Sequence, residues 1–143
     1  MSRHIATIAA RAGVDADTAH GAVMPPLYLS SNYSFAGFAR KRRYDYTRSG
    51  NPTRDTLAGA LAELEGGAGG VVTASGMAAI ALLTAQLQPG DLLVAPHDCY
   101  GGSYRLFKAQ AARGLYAVEF VDFADCAALT TELARKPKLV WIE

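Results

Sequence analysis

The sequence predicts an α/β protein: a mostly parallel sheet with helices on both faces, preceded by an extended amino-terminal arm. Three observations point there. From residue 53 onward, short apolar runs of strand length alternate with helix-forming runs of about ten residues, the pattern of a parallel sheet wound with helices. The apolar runs are continuous rather than alternating, as strands covered on both faces require. Residues 1–52 show no sustained periodicity beyond a short helical stretch at 5–12, yet they carry Tyr28, Tyr33, Phe35, Phe38, Tyr44 and Tyr46. That aromatic content argues against simple disorder. A long irregular segment of this kind fits an arm that packs on a partner.

Each element has its own local reason. Thr53 can cap a helix through Leu57, Leu61 and Leu64, with Asp55 in its first turn and Gly66-Gly67 as its stop. A strand is expected at 70–73, then a helix at 76–87 closed by the Pro89-Gly90 turn. A strand at 92–95 leads to a helix at 102–113, ended by Gly114. The strand at 116–121, a helix at 125–133 and a strand at 139–142 complete the series. The expected domains are therefore 1–52, an arm that packs on something else, and 53–143, the first part of an α/β domain. Leu139-Val140-Trp141-Ile142-Glu143 reads as a central strand, so the sheet is expected to continue beyond it.

Composition narrows the partners. Half of the 143 residues are hydrophobic, enough for a packed core, and the net charge of +1 offers no strong field for nucleic acid or a membrane surface. The cluster Arg40-Lys41-Arg42-Arg43 is either a solvated turn or a contact for an acidic partner. Cys99 and Cys126 lack a CxxC spacing, which fits a reducing compartment and excludes a disulfide framework or zinc knuckle. Neither a signal-peptide pattern nor a run of about 20 apolar residues occurs, so a cytoplasmic protein is expected.

Three elements carry candidate chemistry. In Thr73-Ala74-Ser75-Gly76-Met77, small residues stand where a strand gives way to a helix. In an open α/β sheet that edge faces ligand, and the opening turn of a helix offers free N–H groups and a positive dipole end to an anion. The alternative is an ordinary turn with a serine cap. The glycines at 66–70 precede their strand, so they form no dinucleotide turn, and no GxxxxGK[ST] is present. In the arm, Tyr46-Thr47-Arg48, taken as extended chain, puts a phenol and a guanidinium on one face, where Arg matches phosphate bidentately. A packed tyrosine beside a surface arginine is the other reading. Finally, Tyr100 follows the 92–95 strand and could stack on a flat ligand, with Arg105 about a turn further on to meet a carboxylate. His97 reads as a loop residue, having no nucleophile or metal set around it.

Taken together, "YDYTRSGNPTRDTL", "ALAELEGGAGGVVTASGMAAI" and "LQPGDLLVAPHDCYGGSYRLF" resemble the Cys/Met-metabolism family of pyridoxal-phosphate enzymes. "ATIAARAG" and "GAVMPPLYLSSNYSFAGF" are similar too, so the resemblance spans essentially the whole chain. It implies that Tyr46 and Arg48 hold the cofactor phosphate of a neighbouring subunit, and that Ser75, Gly76 and Met77 hold the phosphate of their own. Tyr100 would stack on the pyridine ring, face the substrate and take the catalytic role. Arg105 would contact substrate. The implied assembly is a homo-oligomer, a dimer of dimers, with the 1–52 arm packed on a neighbouring subunit. The implied reaction is γ-replacement, in which cysteine sulfur displaces the acyl group of O-succinylhomoserine or another O-acylhomoserine. Lyases of the same family share most of these words and stay open, as does a non-catalytic anion-binding domain. The family lysine lies in a Ser/Thr-Lys-Tyr context, and Lys41, Lys108, Lys136 and Lys138 lack it. The resemblance thus implies an amino-terminal portion, inactive alone, with the pyridinium-pairing Asp also beyond Glu143.

Overall fold

The computed structural model describes residues 4–143, which fall into two compact units, Met1–Val72 and Thr73–Glu143. The second unit is the sheet. Helix α3 (Gly76–Thr84) precedes strand β1 (Leu92–Pro96), followed by α4 (Gly101–Ala112), β2 (Ala117–Val121), α5 (Cys126–Ala134) and β3 (Leu139–Val140). The three strands are parallel in the order β2-β1-β3, with Leu93 opposite both Val118 and Leu139. The central strand β1 is buried along its whole length. Its alternate residues feed opposite faces. Leu93 and Ala95 meet Phe107, Tyr116 and Leu87, with Ile80 packed alongside, while Leu92 and Val94 meet Val121, Phe123, Ala128 and Leu129. Helices α3 and α4 thus cover one face and α5 the other, as the sequence predicts.

The caps explain the boundaries. Asp125 opens α5 by accepting from the N–H groups of Ala127 and Ala128, and Gly114 takes a positive φ of 75° just past α4. Helix α3 ends at Thr84, earlier than its apolar pattern, because the chain turns there: Gln86 N–H donates to Leu83 and Leu87 N–H to Thr84. The expected strand at 70–73 is irregular chain and is no member of the sheet, whose three strands are β1, β2 and β3. Beta propensity does not make a strand without a neighbouring chain to pair with.

The first unit has helices α1 (Ile5–Ala10) and α2 (Pro52–Leu64), and between them an irregular chain with two isolated bridges, Asn32 to Tyr46 and Gly37 to Arg40. The cap of α2 is Asn51, not Thr53. The Asn51 carboxamide oxygen accepts from the N–H groups of Thr53 and Arg54, and Pro52 takes the first helical position, where a missing N–H costs nothing. Thr53 instead accepts from the Tyr28 N–H at 2.9 Å. The basic cluster is largely paired within its own unit: Lys41 with Asp45, Arg43 with Asp55, and Arg42 to the Ser34 carbonyl. Among the described residues, no helix is long and apolar enough to cross a membrane.

Candidate functional site

Every candidate in the second unit stands at the carboxyl end of β1 or at the start of the helix beside it. The Ser75 hydroxyl caps α3 by accepting from Ala78 N–H at 3.2 Å, and the Ser75 carbonyl accepts from Ala79 N–H at 3.1 Å. One of the four N–H groups that a helix start leaves open, that of Ala78, is thereby satisfied, the Ala79 bond being the first within the helix. Those of Gly76 and Met77 have no partner within the helix and lie at its positive end. Gly76 is exposed, and nothing stands within 4 Å of where its Cβ would be. The turn therefore offers two backbone donors and open space, a donor set suited to a phosphate oxygen.

Tyr100 is the N-cap of α4, and its side chain is 60% exposed. One edge of the ring lies against Gly102 in the first turn of its own helix. A Cβ built on Gly102 would sit 2.4 Å from Tyr100 Cε1 and 2.9 Å from the Met77 sulfur. A side chain there would displace the Tyr100 ring or Met77, and the lack of one lets the two close on one spot. Arg105 folds back along α4, with its guanidinium Nη1 3.3 Å from the corresponding point on Gly101. Met77, Tyr100 and Arg105 are thus gathered around the Gly101-Gly102 pair, beside the start of α3. Gly102 was not singled out from sequence, although a glycine pair directly after an aromatic at a helix start is a legible signal of close approach.

Tyr46 and Arg48 belong to the first unit, and the chain there is not extended. Tyr46 bridges to Asn32 and the chain then turns, with Ser49 and Gly50 N–H groups both donating to the Tyr46 carbonyl. Asp45 drives the turn by accepting from the Tyr46 N–H and the Ser49 hydroxyl. These bonds hold the Asp45 carboxyl below its ordinary value, Ser49 contributing most and the Tyr46 N–H next. The two side chains still meet: the Arg48 guanidinium lies 4.8 Å from the Tyr46 ring centroid. Arg48 and Arg54 line a concavity of about 340 Å³ in this unit. A larger one, about 570 Å³, lies between Pro25, Tyr33, Tyr44 and Asp55 and involves neither Tyr46 nor Arg48. The smaller one is also lined by Asp55, and Tyr46 does not line it. Among the described residues, no cluster of His, Cys, Asp and Glu could hold a metal ion.

Comparison with known proteins decides the family. Residues 6–143 match the model of the "Cys/Met metabolism PLP-dependent enzyme" family. The chain belongs to that family. Its cofactor is pyridoxal phosphate, and the open donors of α3 and the exposed ring of Tyr100 are the kinds of group that cofactor needs. Cystathionine gamma-synthase of Escherichia coli (strain K12) is 60% identical over 144 residues, covering 100% of this chain and 37% of that protein. Cystathionine beta-lyase of Coxiella burnetii is 42% identical over 141 residues, covering 98% of this chain and 36% of the relative. The crystal structure of cystathionine gamma synthase from Xanthomonas oryzae pv. oryzae in complex with cystathionine superposes with a TM-score of 0.93 at 61% identity, over 98% of this chain and 36% of that one. The chain spans little more than a third of the length of the relatives it matches.

Proposed function

We propose that the protein carrying this sequence performs pyridoxal-phosphate-dependent γ-replacement, joining L-cysteine to an O-acylhomoserine, O-succinylhomoserine first, to give cystathionine and the free acid. The observation that carries the reading is the gathering of Tyr100, Met77 and Arg105 around the Gly101-Gly102 pair, beside two open N–H groups at the start of α3. The greater likeness to a gamma-synthase than to a beta-lyase supports synthesis over elimination.

In this reading, the Gly76 and Met77 N–H groups and the Ser75 hydroxyl bind the cofactor phosphate. The Tyr100 ring covers one face of the pyridine and excludes water from it, and its phenol holds or passes a proton beside the substrate. Arg105 meets a substrate carboxylate, where a guanidinium fork gives a bidentate contact. The cofactor, when bound, supplies an electron sink for carbanion chemistry. Tyr46 and Arg48 complete the phosphate site of a neighbouring copy in a dimer of dimers, and residues 1–52 act as the arm that reaches it. The exposed Val23, Met24, Leu27, Leu29 and Phe38 of that arm give such a contact its apolar surface. None of the four lysines has the family context, so turnover belongs to a protein with a further lysine-bearing part. The free thiols Cys99 and Cys126 suit the cytoplasm.

The test is to supply the complete protein with pyridoxal phosphate, cysteine and O-succinylhomoserine, and to follow cystathionine and succinate. Stoichiometric formation of both is expected, with little release of keto acid from cystathionine. Rapid keto-acid release without synthesis would replace this reading by that of a lyase.

A further inference from the structure

We propose that Glu143 is a positioning residue for Tyr100, acting from the chain just past β3. The inference rests on the reading of Tyr100 as the ring that faces the cofactor. Tyr100 opens α4 without a side-chain cap of its own. The missing cap comes from 43 residues away in sequence: one Glu143 carboxylate oxygen accepts from the Tyr100 backbone N–H at 3.0 Å, and the other accepts from the Ser103 hydroxyl at 3.3 Å. The carboxylate therefore spans the first turn of α4 from its N-cap to its third residue, a role that in a capping box is filled from within the helix.

The clamp is anchored at both ends. Ser103 is fully buried, so no water can replace its partner. On the other side, the Trp141 indole N–H donates to the same Glu143 oxygen as Tyr100, at 3.0 Å. Trp141 is itself fixed, since its backbone N–H donates to the Val94 carbonyl at 2.8 Å and its ring meets Phe107 edge-on at 5.9 Å. Three donors converge on one carboxylate, and the Trp141, Tyr100 and Ser103 bonds together hold it ionised below its ordinary value. On its other side the Tyr100 ring closes on Gly102, 2.4 Å from where a Cβ would stand there. A shift of the Tyr100 peptide would consequently carry the ring off its place on Gly102 and Met77.

The experiment uses the complete holoenzyme with Glu143→Ala, Glu143→Gln, Tyr100→Ala and the double variant Glu143→Ala/Tyr100→Ala. Pyridoxal-phosphate dissociation, the visible circular dichroism of the bound cofactor and the thermal midpoint are measured for each. Glu143→Ala should weaken cofactor binding about tenfold, the scale of one charge-assisted hydrogen bond, and should change the dichroism in the same sense as Tyr100→Ala. Glu143→Gln, which presents an N–H₂ to converging donors, should do the same at smaller cost to the midpoint and serves if the alanine variant does not fold. In the double variant the cofactor effects should not add, since Glu143 acts through Tyr100. Unchanged dichroism and affinity in both Glu143 variants, or full additivity, would overturn the proposal. If Tyr100→Ala itself left the cofactor signals unchanged, the reading of Tyr100 would fall first and the positioning role with it.

Discussion

In Thr73–Glu143 the large buried side chains, Leu93, Val94 and Phe107, sit on or against β1, whereas in Met1–Val72 the buried side chains among the described residues are polar, Asp17 and Asn51. Asn51 works as a hub. Its oxygen caps α2, and its amide nitrogen lies within hydrogen-bond reach of the Tyr28 carbonyl at 3.0 Å, the Tyr33 hydroxyl at 3.2 Å and the Thr47 hydroxyl at 2.6 Å. Asp17 gathers the N–H groups of Ala19, His20 and Ala22. One unit is held by apolar burial, which is additive and forgiving of sequence detail. The other is held by directional bonds among particular residues. A segment ordered this way can keep its shape while leaving its apolar side chains outside.

The largest effect that should follow from this contrast is in the sheet unit. Phe107 is fully buried between β1 and Trp141, so Phe107→Ala in the complete protein should cost about 3–5 kcal/mol, the range for an aromatic removed from a core. Urea unfolding with a two-state fit measures it. A loss below about 1 kcal/mol, the scale of a surface change, would mean that this face is not the core described here.

Asn51 should come second. Asn51→Ala loses both the helix cap and the amide donors, for about 1–3 kcal/mol. Asn51→Asp keeps the acceptor that caps Thr53 and Arg54 but removes the donors to Tyr28, Tyr33 and Thr47. If the hub reading is right, Asp rescues only part of the loss. Full rescue by Asp would reduce Asn51 to a helix cap and weaken the contrast between the units.

The same contrast explains what could be read from the sequence. The strands and helices of the second unit were legible because burial on both faces of a parallel sheet imposes continuous apolar runs, and because Asp125 and Gly114 punctuate them. Ser75, Gly76 and Tyr100 were legible as candidates because the carboxyl edge of such a sheet is fixed by its topology. The pairing of Glu143 with Tyr100 and Ser103 was not, because nothing local links residues forty or more apart. Nor was the role of Asn51, because Ser49-Gly50-Asn51-Pro52-Thr53 offers more than one competent cap. The turn at Tyr46 was missed because the Asp45 side chain competes with extended chain there, a choice that residue spacing does not reveal.

The smallest effect concerns acid, and it asks whether the polar unit answers to pH through Asp17. Its carboxyl is held below the ordinary value of 3.8 mainly by the N–H groups of Ala22 and Ala19, against a smaller cost of burial. A carboxylate whose folded pKa is depressed adds stability that is fully present above the unfolded value and is lost as pH falls through the folded one. The 17–22 turn should therefore be indifferent to pH from neutrality down to about the ordinary value, and should loosen only below it. Amide protection at Ala19, His20 and Ala22, corrected for the intrinsic exchange rate at each pH, reads this directly. Protection should be level between pH 7 and 5 and drop below pH 4, while the β1 amides, which are held by backbone pairing with β2 and β3, should not change over the same range. In Asp17→Asn the turn should already be less protected at pH 7, with no further acid step of its own. If the wild-type turn lost protection in parallel with β1, the acid response would be one global unfolding event, and Asp17 would not be the group that makes the first unit different from the second.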